Sequence, residues 1–146
     1  MRQLIIVRKD LNMSPGKLAA QVAHASWAFL SNQIRTRGDR LALSNDYVVQ
    51  LIINKDIYEL WFCDIFTKTI CEAKNKNQLL KAKGIAEELG MIEGKDFFLI
   101  KDACNTELTP EEIDENGIGR TLTCIGFKPL DDETAWKISK KFQLYK

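Results

Sequence analysis

An α/β fold with helices covering a sheet is what this sequence predicts, and three observations carry that reading. Four short segments read as strands: the apolar run Leu4–Val7, residues 67–73, Phe97–Lys101 and Thr121–Phe127. Four other segments carry apolar residues at helical spacing. The two kinds follow one another in the order βααβαββα, which suits a sheet with helices on its faces. At 146 residues the chain is expected to form one domain, spanning residues 1–146.

Each element has a local reason. Leu4–Val7 is apolar, partly β-branched and bounded by charges. Ser14 is a good helix N-cap and Pro15 suits the first helical position. The helix that follows is expected to run to about Gln33, with Leu18, Val22, Ala25 and Phe29 on one face. Its alanines 19, 20, 23 and 25 imply close packing on a sheet. Residues 34–45 read as a loop or broken helix. Tyr47–Val49 and Leu51–Ile53 look strand-like, and Leu60–Phe66 suits an amphipathic helix. A helix over residues 76–90 turns Leu79, Leu80, Ala82, Ile85, Ala86 and Leu89 inward and stops at Gly90. Pro110–Gly119 reads as an acidic loop and Thr134–Phe142 as a last helix.

Composition narrows the function classes. Net charge is +1, so the chain is neither a polycation nor a polyanion overall. Charge is nevertheless uneven. Residues 1–40 carry seven basic and two acidic groups, whereas residues 87–115 carry two basic and ten acidic ones. The first stretch could attract an anionic partner or serve as an ordinary solvated surface. Cys63, Cys71, Cys104 and Cys124 form no Cys-x-x-Cys pair, and His24 is the sole histidine. That argues against structural zinc and reads the thiols as reduced packing residues of a cytoplasmic protein. The apolar stretch at the N-terminus is too short for a signal peptide, and no run approaches the roughly 20 residues of a membrane span.

Two stretches could carry chemistry. In Met13–Ala25, residues Lys17, Gln21 and His24 share one helix face, read as a polar stripe opposite the apolar one. Lys17 lies in the first turn, where free N–H groups and the helix dipole already favour an anion. A lysine there makes sense if a phosphate or carboxylate visits, or it is an ordinary surface lysine. A Walker loop is excluded, since Leu11 stands at the upstream glycine position and Leu18 at the Ser/Thr position. In Leu99–Thr106, Asp102 ends a strand and Thr106 follows four residues on. Ligands of open α/β sheets gather beyond the carboxyl ends of strands. If the first and third strands are parallel, Lys17 and Asp102 project from the same edge; the competing reading is an Asx turn. Cys104 as a nucleophile paired with His24 is set aside in favour of inert packing. Trp27, Trp61 and Trp136 are assigned to core or interface packing rather than base stacking.

Leu4-Ile5-Ile6-Val7-Arg8-Lys9-Asp10-Leu11-Asn12-Met13 and Gly16-Lys17-Leu18-Ala19-Ala20-Gln21-Val22-Ala23-His24-Ala25 carry a resemblance. They are similar to the first strand, loop and first helix of the peptidyl-tRNA hydrolases of the archaeal and eukaryotic type, the second class of that enzyme. Trp61, the strand from Lys68, Leu99-Ile100-Lys101-Asp102-Ala103, Thr121-Leu122-Thr123-Cys124-Ile125-Gly126 and Phe142-Gln143-Leu144-Tyr145 extend it over most of the chain. Five features depart from the pattern. Cys104 replaces a glycine, Asn105 a common arginine and Glu107 a glutamine. The turn before the last strand is a longer acidic loop, 111–117, and residues 40–60 are longer than usual.

The resemblance implies a three-layer α/β/α sandwich around a four-stranded mixed sheet, frequently a homodimer. It implies hydrolysis of the ester between a peptide and the 3′ end of tRNA, with no metal or organic cofactor. Lys17, Asp102, Thr106 and His24 would then be catalytic. Gln21, Thr121, Lys9 and Arg8 would bind substrate, with Arg35 and Arg37 as further phosphate contacts. The acidic segment 107–115 should lie away from the tRNA path or limit access to it. Two other functions stay open. Cys104 could block a water site and leave an RNA- or protein-binding member without activity. The modest net charge also allows a hydrolase of small esters or amides.

Overall fold

The computed structural model describes all 146 residues. In chain order the elements are β1 (Gln3–Arg8), α1 (Pro15–Arg37), β2 (Gly38–Arg40), β3 (Tyr47–Val49), α2 (Lys55–Ile57) continuing into a π-helical turn (Tyr58–Phe62), β4 (Lys68–Ala73), α3 (Lys76–Glu88), β5 (Phe97–Asp102), β6 (Glu112–Ile113), β7 (Gly119–Phe127), α4 (Asp132–Ser139) and β8 (Gln143–Leu144). The main sheet has the order β5-β7-β1-β4-β8, with β6 paired to β7. It is mixed, as expected, but has six strands rather than four. The extra two, β6 and β8, are two-residue edge pairings without a hydrophobic alternation to betray them.

Alternation along β1 splits the core into two layers. Leu4 and Ile6 pack with α3 and α4 side chains such as Leu79, Ala82 and Ile138. Ile5 and Val7 pack on the other face with Met13 and Ala25 of the α1 side. Strands β1 and β5 are both antiparallel to β7, so they run in the same direction. The carboxyl end of β5 therefore shares an edge with the start of α1.

Helix α1 begins where Ser14 accepts from the Lys17 N–H, and it extends one turn past the expected end, to Arg37. Residues 38–49 then form a two-stranded hairpin instead of a loop, while Leu51–Ile53 adopt no strand. Leu60–Phe66 is not an amphipathic helix; only its start lies in the π-turn, and Trp61 alone of the three tryptophans is buried. Trp27 and Trp136 are exposed, so core packing does not describe them. Helix α3 stops one turn's end before Gly90, whose φ of +81° closes it. Helix α4 starts earlier than expected because Asp131, accepting from the Thr134 N–H, is its cap.

Helix α1 meets the sheet most closely at Gly126 on β7. A Cβ built there would lie 2.4 Å from the Ala25 carbonyl oxygen. The pairing of β5 with β7 also skips a residue. Ile100 faces Cys124 and Lys101 faces Leu122, so Thr123 is a bulge residue without a partner. The bulge turns Thr123 and Cys124 both toward α1, where each hydrogen-bonds Gln21.

The tight contact yields a stability prediction. Gly126→Ala is expected to destabilise the fold by about 2 kcal/mol, the cost of overpacking against a backbone that must move. Urea unfolding of the two proteins checks it, and an unchanged midpoint would contradict the close approach.

Candidate active site

Asp102 ends β5 and its carboxylate is nearly buried, with the side chain 11% exposed. Oδ1 accepts from the Lys17 ammonium at 2.7 Å and from the Gln21 amide at 2.9 Å. Oδ2 accepts from the Cys104 N–H at 2.9 Å. Burial would push this carboxyl up, but the Lys17 ammonium, the Cys104 N–H and the Gln21 amide outweigh it and hold it below the usual carboxylate range. Lys17 also donates to the Thr106 hydroxyl at 3.1 Å. Lys17, Asp102 and Thr106 are thus brought together at the sheet edge that the strand directions define.

Counting donors and acceptors shows what remains free. Lys17 has three N–H groups and spends one on Asp102 and one on Thr106. Thr106 accepts through oxygen and keeps its own proton to donate. Asp102 Oδ1 is saturated, and Oδ2 keeps one lone pair. The cluster can therefore offer two donors and one anionic acceptor to an incoming carbonyl and water.

The loop after β5 is held from both ends. Cys104 sits at φ +57°, in the left-handed region, so that its N–H turns back to Asp102. This geometry explains why a glycine suits the position. Its sulfur lies 3.4 Å from the Thr121 hydroxyl and 3.5 Å from the Asp102 main-chain oxygen, not against the carboxylate. Glu107 accepts from both the N–H and the hydroxyl of Ser14, tying the loop to the start of α1.

Five other expected site residues are placed as follows. Gln21 is buried rather than part of an exposed stripe. Its amide nitrogen donates to Asp102 and its amide oxygen accepts from the Thr123 hydroxyl at 2.7 Å. His24 lies exposed on α1 with no hydrogen bond and is not brought to Asp102. Thr121 is buried; it donates to the Thr109 carbonyl at 2.6 Å and accepts from the Glu111 N–H. Arg8 is buried with all five N–H groups engaged by Asp10, Glu111 and the Leu122 carbonyl, leaving none for a phosphate. Lys9 is occupied by Glu72 at 3.3 Å, the Lys146 main-chain oxygen and the Tyr145 ring. Asp10 is a near neighbour of Arg8, but Glu111 and Leu122 are more than 100 residues away, and Thr121 meets Thr109 and Glu111 only across the loop.

The acidic stretch is mostly neutralised. Glu111 pairs with Arg8 and Lys76, Glu112 with Lys101, and Asp114 with Arg120. Cys124 is fully buried and its thiol is pushed up to about 12 by burial, which leaves it inert at neutral pH. No three His, Cys, Asp or Glu side chains converge to hold a metal ion. No helix is long and apolar enough to cross a membrane.

Comparison with known proteins agrees with this frame. The family model described as Peptidyl-tRNA hydrolase PTH2 matches residues 1–145. A peptidyl-tRNA hydrolase of Methanopyrus kandleri is 33% identical over 132 residues, covering 90% of this chain and 87% of that one. Those of Thermoplasma acidophilum and Methanothermobacter thermautotrophicus are 28% and 29% identical, over 98% and 99% of this chain and 97% and 99% of theirs. With the match running from the first strand to the last, through the Lys17 helix and the Asp102 strand end, this chain belongs to the PTH2 family of peptidyl-tRNA hydrolases.

Proposed function

We propose that the protein hydrolyses the ester joining a peptide, or an N-blocked amino acid, to the 3′ end of tRNA, and that Lys17, Asp102 and Thr106 carry the reaction. The observation behind this reading is the spare capacity of the cluster: one Lys17 N–H, the Thr106 proton and one Asp102 lone pair at a single sheet edge. Water held on Asp102 Oδ2 attacks the ester carbonyl carbon. The oxygen of that carbonyl becomes an oxyanion that Lys17 and Thr106 stabilise. The intermediate collapses by breaking the bond to the ribose oxygen, and the water's proton ends on that oxygen. A carboxylate held in its charged form is a weak base. Asp102 therefore serves chiefly to orient the water and anchor Lys17. Gln21 acts through Asp102 and is a positioning residue.

Cys104 motivates the alternative of a binding-only member. The orientation of its sulfur toward Thr121 speaks for an open water site instead. The four free thiols fit the reducing cytoplasm.

We extend the proposal to self-association. A groove of about 820 Å³ lies between α1 and the uncovered face of β4, lined by Leu18, Val22, Trp27, Phe62, Phe66 and Tyr145 among others. Trp27 is 58% exposed at its rim. An apolar helix flank of this kind suits a two-fold contact with a second copy.

Two outcomes are expected. Asp102→Asn and Lys17→Ala each lower kcat on N-blocked aminoacyl-tRNA by about 100-fold or more while thermal unfolding stays cooperative; activity within a few-fold of wild type would remove these residues from the site. In sedimentation equilibrium the wild type runs at twice the 16.7 kDa chain mass and Trp27→Glu at the chain mass. A wild-type monomer would contradict the dimer.

A further inference from the structure

A second cavity lies at the opposite edge of the sheet. Its volume is about 400 Å³, and the last turns of α1, the return from the hairpin, the Gly94–Lys95 turn and Lys128 enclose it. Lys95 precedes β5 and Lys128 follows β7, so this edge is the far one from Asp102. Arg37, Lys95 and Lys128 line it, together with Asn32, Thr36 and Asn54, and no acidic residue does. Lys128 is fixed by Asp96 at 2.5 Å, and Asp96 also accepts from the Ile92 N–H, so that carboxylate is turned inward. Arg37 and Lys95 make no ion pair. Asp39, two residues on from Arg37, is exposed and does not pair with it. Elsewhere on the molecule the basic side chains flanking the Asp102 site are consumed: Arg8 by two carboxylates and Lys9 by Glu72.

We infer that this cavity is a phosphate-binding site for the RNA backbone, with Arg37 and Lys95 as its principal contacts. The inference rests on the proposed substrate. Cations without counterions at a polar mouth suit phosphodiester oxygens, which take charge-assisted hydrogen bonds without any demand on base identity. The spacing identifies the part of the substrate. Lys17 and Arg37 are twenty residues apart on one helix, roughly 30 Å at 1.5 Å per residue. With the 3′ ester at Asp102, a backbone following α1 reaches Arg37 only after its single-stranded end has passed into the paired acceptor arm. The site thus measures the distance from the ester to duplex RNA, and distinguishes tRNA from short esters.

The test compares two substrates of the full-length protein. One is N-blocked aminoacyl-tRNA; the other is the same aminoacyl ester on a short 3′-terminal oligonucleotide without the acceptor arm. The variant is Arg37→Glu with Lys95→Glu, with Arg37→Gln/Lys95→Gln as the milder form should the first unfold. Lys81→Glu, on an exposed stretch of α3 across the sheet, is the control. For the double variant the Kd for tRNA is expected to rise at least about tenfold, and the slope of log Kd against log salt to fall by about one per lost phosphate contact. Its kcat/KM on the short ester is expected to stay within twofold of wild type, as are all values for Lys81→Glu. An unchanged Kd for tRNA, or an equal loss on both substrates, would overturn the inference. A wild type that binds tRNA through these residues yet hydrolyses neither ester would refute the hydrolase reading and leave the phosphate site standing.

Discussion

Helix α1 rests on β7 with the Ala25 carbonyl against the bare Cα of Gly126, and the geometry of the site follows from that contact. One turn back along the helix, Gln21 lies over the bulge and meets Thr123 and Cys124. One more turn back, Lys17 lies over the end of β5 and meets Asp102. Residues 17, 21 and 25 form one row at four-residue spacing. Each touches the neighbouring part of the sheet, so a shift of the helix at Gly126 would separate the ammonium from the carboxylate. The same seat is reinforced from β1, where buried Gln3 donates to the Ser26 carbonyl and accepts from its hydroxyl.

The charge economy of the molecule is equally ordered. Burying Asp102 beside Lys17 would be unfavourable for either group alone, and together with the Gln21 and Cys104 donors it becomes a fixed dipole at the protein edge. Arg8 plays a structural version of the same part. It gathers Asp10 and Glu111, and so anchors the acidic insertion against β7. That explains how a segment rich in carboxylates can border a site for a polyanion: its charges are largely compensated within the protein. At the other end of α1, Arg37 and Lys95 line a cavity without an acidic residue.

Much of this was legible in the sequence, for identifiable reasons. Apolar β-branched runs located the four principal strands, and the Ser14–Pro15 pair marked the start of α1. Lys17 and Asp102 could be placed on one edge because strand direction alone decides it. Gln21 could not be read correctly: a polar residue on an amphipathic helix looks exposed unless its buried partners, Asp102 and Thr123, are known. The burial of Arg8 was hidden likewise, since Glu111 and the Leu122 carbonyl come from a distant segment. The left-handed backbone at Cys104 has a cysteine where a glycine would signal it, and the hairpin over 38–49 is too short and too exposed to carry a hydrophobic period.

In the proposed mechanism a carboxylate held charged by Lys17, not the sole imidazole, organises hydrolysis. Its most direct test is the pH dependence of single-turnover cleavage of N-blocked aminoacyl-tRNA from about pH 5 to 8, for wild type and His24→Ala. Asp102 is held below the ordinary aspartate value of about 3.9, so it keeps its charge across that whole range. With that mechanism no inflection is expected in the imidazole region, at about 6.5, and the profiles of the two proteins superimpose. An inflection there that disappears with His24→Ala would contradict it.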